Sequence, residues 1–111
     1  MTVTVKVLIP AKIAEATQTT QYVANGVTTI IDKFTATNYS ASAATISVNL
    51  VTVAGSAGNL NLITKTKTLQ PAEVYTFPEI VGQVLGSGDF ISTIAGTATS
   101  INIRASGREV S

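Results

Sequence analysis

The sequence predicts an all-β fold, a single small β-sandwich of about eight short strands with one short helical turn. β-branched Thr, Val and Ile recur along the whole chain, and these residues suit a pleated, half-buried surface. Apolar and polar residues alternate in several segments with the period of two that a half-buried strand requires. Turn signals separate these segments at intervals of about ten residues, which is typical of a sandwich or a closed barrel.

The first of these segments is the most regular. Val3, Val5, Val7 and Ile9 lie on one face, with Thr2, Thr4, Lys6 and Leu8 on the other, until Pro10, which is expected at a strand end or a sheet edge. We interpret residues 11–19 as an extended connector, so that residues 1–19 precede a sandwich domain of residues 20–111. A strand on such a tether can reach a neighbouring sheet edge. We therefore expect an intersubunit contact at the following residues: Thr2, Val3, Thr4, Val5, Lys6, Val7, Leu8 and Ile9.

The alternative for this segment is that it completes the sheet of its own domain. In that case it contributes to the core, and its removal unfolds the chain.

Asn25-Gly26 is the strongest turn signal. Asn-Gly accepts the two positive φ angles of a type I′ turn, which predicts a β-hairpin between residues 21–24 and 27–30. The second arm continues with Ile30, Asp32 and Phe34 on one face. An inward Asp32 needs a partner, and Arg104 on a late strand is the candidate for a structural ion pair.

The rest of the chain continues the pattern. Strands are predicted at residues 45–50, 61–69, 73–77, 90–95 and 99–105, and a brief helix at residues 78–85, where Pro78 suits the first turn. The predicted core consists of Phe34, Ile46, Val48, Leu50, Phe90, Ile101 and Ile103. The pattern favours a jelly-roll-like sandwich, with an immunoglobulin-like Greek key as the alternative, because periodicity does not separate the two.

Catalytic chemistry is poorly represented in the composition. The chain has no His and no Cys, which excludes Ser-His-Asp triads, Cys-His pairs and the common zinc sites. A net charge of +1 and 5% aromatic residues do not provide the basic stripe and stacking residues of a nucleic-acid groove. No apolar run approaches the roughly 20 residues that cross a bilayer. We expect a protein that is not an enzyme, with no cofactor, metal, small-molecule substrate, nucleic acid or membrane partner.

Three stretches of the chain resemble small β-sandwich structural proteins of tailed bacteriophage virions, of the capsid decoration or cement type. They cover most of residues 28–110, and one departure is Pro71-Ala72, where such proteins often carry Pro-Gly. The stretches are Phe34–Ser40 with Thr45–Leu50, Leu69–Tyr75 with Pro78–Gly82 and Leu85, and Gly88–Ile91 with Ile101–Gly107.

The resemblance implies a virion component, assembled in the host cytoplasm and present in many copies. A decoration protein stabilises the head by bridging capsid subunits, so the expected partners are the major capsid protein or other virion proteins, with further copies of the chain forming a homo-oligomer. A tail-, neck- or fibre-associated structural or binding module is the alternative.

Overall fold

The computed structural model describes all of residues 1–111 and forms a sandwich of two antiparallel sheets, which confirms the all-β prediction. A single 3₁₀ turn, Asn59–Asn61, is the only helical element. The nine strands are Val3–Ile13 (β1), Thr19–Val23 (β2), Thr28–Asn38 (β3), Ala44–Val51 (β4), Leu62–Leu69 (β5), Val74–Tyr75 (β6), Val84–Leu85 (β7), Phe90–Ala95 (β8) and Ile101–Val110 (β9).

The strand order is that of a jelly roll. The first sheet runs β1-β9-β3-β6, with β7 also beside β3, and the second runs β2-β8-β4-β5. The antiparallel pairs β1·β9, β2·β8, β3·β6 and β4·β5 are therefore nested around the central β4–β5 connection. This nesting distinguishes a jelly roll from an immunoglobulin-like sandwich.

The core lies between the two sheets. Phe34 and Phe77 are fully buried and meet edge to face, with ring centroids 4.7 Å apart. Of the predicted core residues, Phe34, Ile46, Val48, Ile101 and Ile103 are fully buried, and Leu50 packs against them while half-buried. Phe90 is outside the core cluster, so its prediction was wrong. Its neighbour Ile91 takes the inward position on β8.

Asn25-Gly26 makes a turn, but not a hairpin. Gly26 has φ 73°, as the turn chemistry predicts. However, β2 before the turn pairs with β8, and β3 after it pairs with β9 in the other sheet. The prediction of a hairpin was wrong because a tight turn at this point carries the chain from one sheet to the other.

Residues 78–85 form consecutive turns and the short strand β7 instead of a helix. Gly82 adopts φ 91°, and its N–H donates to the carbonyl of Ile31, which draws the chain alongside β3. Ile80 and Leu85 are buried, whereas Val81 and Val84 are exposed. The helix prediction was wrong because sheet pairing with β3 overrides local propensity here.

Candidate intersubunit surface

The predicted intersubunit segment lies in the domain's own sheet. Val3, Val5 and Val7 on β1 pair in antiparallel register with Val110, Arg108 and Ser106 on β9. The segment is therefore no detached arm, and residues 1–19 contribute Leu8, Ile9 and Ala14 to the core. The other edge of β1 has no neighbouring strand. An intersubunit contact through that edge stays a prediction.

A β-bulge at Leu8 determines which side chains of β1 face outward. The register jumps from Val7 paired with Ser106 to Ile9 paired with Ala105, so Leu8 is an extra residue. Leu8 and Ile9 are both buried, whereas Val3, Val5 and Val7 are 51%, 83% and 41% exposed. The alternation therefore continues only to Val7, and the prediction that Ile9 shares the valine face was wrong.

The outward valines belong to a larger apolar surface. The cross-strand row from the edge inward is Val5, Arg108, Ile30 and Val84, on β1, β9, β3 and β7. Val84 is 58% exposed. We call this the valine surface, and its members are Val3, Val5, Val7, Ile30, Val84 and Val110. Contiguous apolar patches on a small protein commonly mark interaction sites.

One ion pair interrupts the valine surface. Arg108 Nε and Nη2 donate to the two carboxylate oxygens of Asp32, each at 2.9 Å. The predicted partner of Asp32 was therefore wrong, because Arg104 pairs in register with Thr35 further along β9. Asp32 is exposed and is the extra residue of a bulge between Ile31 and Lys33.

The bulge also explains why Asp32 does not point inward. The bulge lets the adjacent Ile31 take the buried position. Ile30 and Asp32 therefore do not share the buried face of Phe34, and that prediction was wrong. The hydrogen bonds from Arg108 lower the pKa of Asp32 below its ordinary value and keep it ionised.

Gly107 carried the signal that could have located this bulge. A Cβ at Gly107 would lie 2.1 Å from the carbonyl oxygen of Ile30, so the two strands approach closely there. Glycine inside a strand pattern often marks a bulge or a close approach of two backbones. The sequence contains the glycine but does not reveal which strand lies against it.

On the inner side of β1, a polar cluster ties the two sheets together. Lys6 Nζ lies 3.2 Å from Glu109 Oε2, and the Tyr22 hydroxyl donates to the same oxygen while sharing a 2.7 Å hydrogen bond with Thr29. The hydrogen bond from Tyr22 and the charge of Lys6 lower the pKa of Glu109. Burial and the Glu109 carboxylate raise the pKa of Tyr22 to about 12. Sequence reasoning missed this cluster because its members lie far apart along the chain.

The carboxylates of the chain are all engaged in contacts within it. A second cluster resembles the first, since Glu79 accepts hydrogen bonds from Tyr75 and Thr64. Burial alone would raise the pKa of Glu79, but these two hydrogen bonds lower it overall. The six acids and their donors are Glu15 with Lys12 and Gln21, Asp32 with Arg108, Glu73 with the N–H of Gln70, Glu79 with Tyr75 and Thr64, Asp89 with the N–H groups of Val53 and Gly86, and Glu109 with Tyr22 and Lys6.

A shallow polar cleft of about 210 Å³ lies on the outer face of the second sheet, beneath the loop that contains Gly58. Asn49 at its floor donates to the Gly58 carbonyl and to Asn61, which fixes the loop over the sheet. Gln18 donates to Ser92 at 2.8 Å and closes one side. Lys65, on the rim, is exposed. The cleft offers amide and hydroxyl groups but no aromatic platform.

Comparison with protein-family models, curated proteins and solved structures found no match to this chain. The structure contains no helix of the length and apolar character that spanning a lipid bilayer demands. It also contains no group of three or more His, Cys, Asp or Glu side chains arranged to hold a metal ion.

Proposed function

We propose that this chain is a non-enzymatic structural protein of a tailed-bacteriophage virion, a decoration or cement protein that stabilises the capsid by bridging its subunits. The observation that carries the proposal is the valine surface, which exposes Val5 and Val84 at 83% and 58% on the outer face of one sheet. A cement protein works by burying such a surface across a subunit junction.

Two further observations support this role. The stretches that resemble phage structural proteins include the last part of β3, from Phe34 onward, and most of β9, the two strands that lie side by side at the centre of the first sheet. The six carboxylates are engaged in intrachain hydrogen bonds, which leaves little for catalysis to use. A standard-sized interface buries about 1,600 Å² in total, which is a large area for one small subunit to supply. Several linked copies would bind the capsid more tightly than one, because their contacts act at high effective concentration.

The test is to locate the chain in particles and measure its copy number. Hundreds of copies per particle on the head would support a cement role, whereas a few to tens at the neck or tail would contradict it. In a binding assay, capsids that lack the protein are mixed with the wild type or with Val84→Lys. We expect Val84→Lys to lose capsid binding because it places a charge in the valine surface.

Val23→Lys is the matched control, since Val23 is 45% exposed but lies on β2 in the other sheet. This variant is expected to bind capsids as the wild type does. If Val84→Lys binds normally, the valine surface is not the capsid contact.

The polar cleft favours the second candidate, a fibre- or tail-associated binding module. Its amide and hydroxyl groups, with Lys65 on the rim, suit hydrogen bonding to a sugar. A glycan array separates the two functions, because a decoration protein would bind none of the glycans. Substituting Asn49 would be a poor test, since this side chain holds the loop that contains Gly58.

A further inference from the structure

The free edge of β1 presents the backbone groups of three valines. Thr2 and Ser111 exchange both of their backbone hydrogen bonds, at 3.0 and 2.9 Å. In an antiparallel ladder such pairs alternate with pairs that exchange none, so Thr4 and Lys6 also direct their backbone groups toward β9. The N–H and C=O groups of Val3, Val5 and Val7 therefore point away from β9. Because β1 ends its sheet, these six groups have no partner within the chain.

The other three sheet edges are each protected against pairing. β6 and β7, which share the far edge of the first sheet beside β3, have only two residues each. β2 has five residues and a register shift at Gln21. β5 carries Lys65 and Lys67 and two register shifts. Short edges, lysines and bulges are the devices that prevent edge-to-edge pairing. The first half of β1 has no bulge, and its outward side chains are all valine.

We propose that this edge pairs with the same edge of a second copy of this chain, related by a two-fold axis through Val5. In this register Val5 faces Val5 of the other copy, and Val3 faces Val7. Each of these pairs exchanges two hydrogen bonds, so all six free groups on each copy are satisfied. The contact is isologous and closes as a dimer.

The side chains fit the same register. On the outer face, valine meets valine in every pair, and β-branched cross-strand pairs stabilise sheets. On the inner face, Thr4 lies opposite Lys6, whose ammonium is already held by Glu109. No like charges lie directly opposite each other. This match of the segment Val3–Val7 with itself favours a second copy over an unrelated strand.

Charge and shape also limit the pairing to this segment. The two Arg108 side chains would lie three strand spacings apart, about 14 Å, which exceeds the Debye length of about 8 Å at physiological salt. Each is also paired with its own Asp32. Beyond Val7, the bulge at Leu8 and the missing N–H of Pro10 end the regular edge, so a fibre-like extension is not expected.

Light scattering during size-exclusion chromatography tests the dimer directly. The wild type is expected at twice the 11.4 kDa chain mass at high concentration, dissociating on dilution. In the dimer, amide hydrogen exchange should slow at Val3, Val5 and Val7, while Thr4 and Lys6 are protected in monomer and dimer alike. A wild type that stays monomeric would overturn the proposal. A dimer without protection at the three valines would also overturn it.

A charge exchange at Val5 tests the register. Val5→Lys and Val5→Glu are each expected to be monomeric, because like charges then lie directly opposite each other across the axis. An equimolar mixture of the two should form a heterodimer. Val23→Lys, on the other sheet, should dimerise as the wild type does. If the mixture stays monomeric, or if either single variant dimerises, the two-fold axis does not pass through Val5.

Proline at Val5 tests the hydrogen bonds without adding charge. Val5→Pro removes an N–H that points to the free edge, whereas Thr4→Pro removes one that bonds β9. We expect Val5→Pro to be a folded monomer by circular dichroism and Thr4→Pro to be destabilised. A folded Val5→Pro dimer would refute the pairing, and the charge exchange decides the question if this variant unfolds.

The proposal does not depend on the virion role, since Val84 is remote from this edge and Val84→Lys should still dimerise.

Discussion

Asp32 and Arg108 form a bidentate ion pair between β3 and β9, at the point where Asp32 is the extra residue of a bulge. Both side chains are exposed, so water and salt screen the pair. We expect Asp32→Asn to lower stability slightly. In a double-mutant cycle, Asp32 should couple to Arg108 and not to Arg104, and the coupling should shrink at high salt. Coupling between Asp32 and Arg104 would contradict the pairing of Asp32 with Arg108.

Ile9 and Val5 lie on the same strand but should respond differently to substitution. Ile9→Ala is expected to cost about 2–5 kcal/mol, because Ile9 is fully buried in the core. Val5→Ala, at a position 83% exposed, should change the stability of the monomer by less than about 0.5 kcal/mol. Urea unfolding at low concentration measures both. Deletion of residues 1–10 removes Leu8 and Ile9 and should unfold the chain, whereas a stable truncated protein would show that β1 is a dispensable arm.

Phe34→Ala is expected to cost about 3–5 kcal/mol, since Phe34 is fully buried and meets Phe77 edge to face. That is a large part of the stability of a small domain. Phe90→Ala is the matched control and should cost less, because Phe90 is half-buried and outside the core cluster. Denaturant unfolding of the two variants measures which substitution lowers the free energy of unfolding more. Equal losses would show that Phe90 also packs in the core.

Asn38 is expected to be among the most sensitive polar positions. Its side chain is fully buried, donates to the carbonyls of Ser42 and Leu69, and accepts from Ser40. Asn38→Ala leaves the carbonyls of Ser42 and Leu69 and the N–H of Ser40 without their hydrogen-bond partner. Each unsatisfied buried group costs about 1–3 kcal/mol. Thr37→Ala, on the outer face of the same strand, is the control. A thermal melt of Asn38→Ala that matches the wild type would contradict this role.

The stability of the chain should fall on acidification below about pH 4.5. The pKa of Glu109 is lower in the folded chain than its ordinary value of 4.5, so the unfolded chain binds more protons in this range. The stabilisation is present above pH 4.5 and is lost as the pH falls through the folded pKa. Tyr22→Phe removes the hydrogen bond to Glu109, so the free energy of unfolding should fall less steeply as the pH is lowered. Denaturant midpoints across the acid range measure both slopes, and parallel slopes would show that the bond has no such effect.

At high pH the direction reverses. The pKa of Tyr22 and that of Tyr75 are each raised from 10.0 to about 12, chiefly by burial at Tyr22 and by the hydrogen bond to the Glu79 carboxylate at Tyr75. The stabilisation from the protonated hydroxyls is therefore present below pH 10 and lost as the pH rises toward 12. Phenolate absorbance should show these two tyrosines titrating late, and early ionisation of both would contradict the two clusters.

The sequence by itself determined the class of the fold and the positions of β5 and β8, whereas β1 and β9 extend to Ile13 and Val110, beyond their predicted ends. β8 begins and ends where alternation predicts, at Phe90–Ala95, and β5 differs from its prediction by one residue. The inward positions of Ile46 and Val48 also follow from alternation. These features are local, because the period of two along a strand is a property of neighbouring residues.

The tertiary structure alone decided the faces of β1 and β3, the crossing at Asn25-Gly26 and the partner of Asp32. The bulges at Leu8 and Asp32 reverse the alternation, and each exists because β9 offers fewer residues than the strand beside it. The Cα pairing of Ile31 with Gly107 joins residues 76 positions apart, counted as 107 minus 31. No local pattern encodes such a contact, so the exposed valines of β1 could be recognised as an outer surface only once the sheets were assembled.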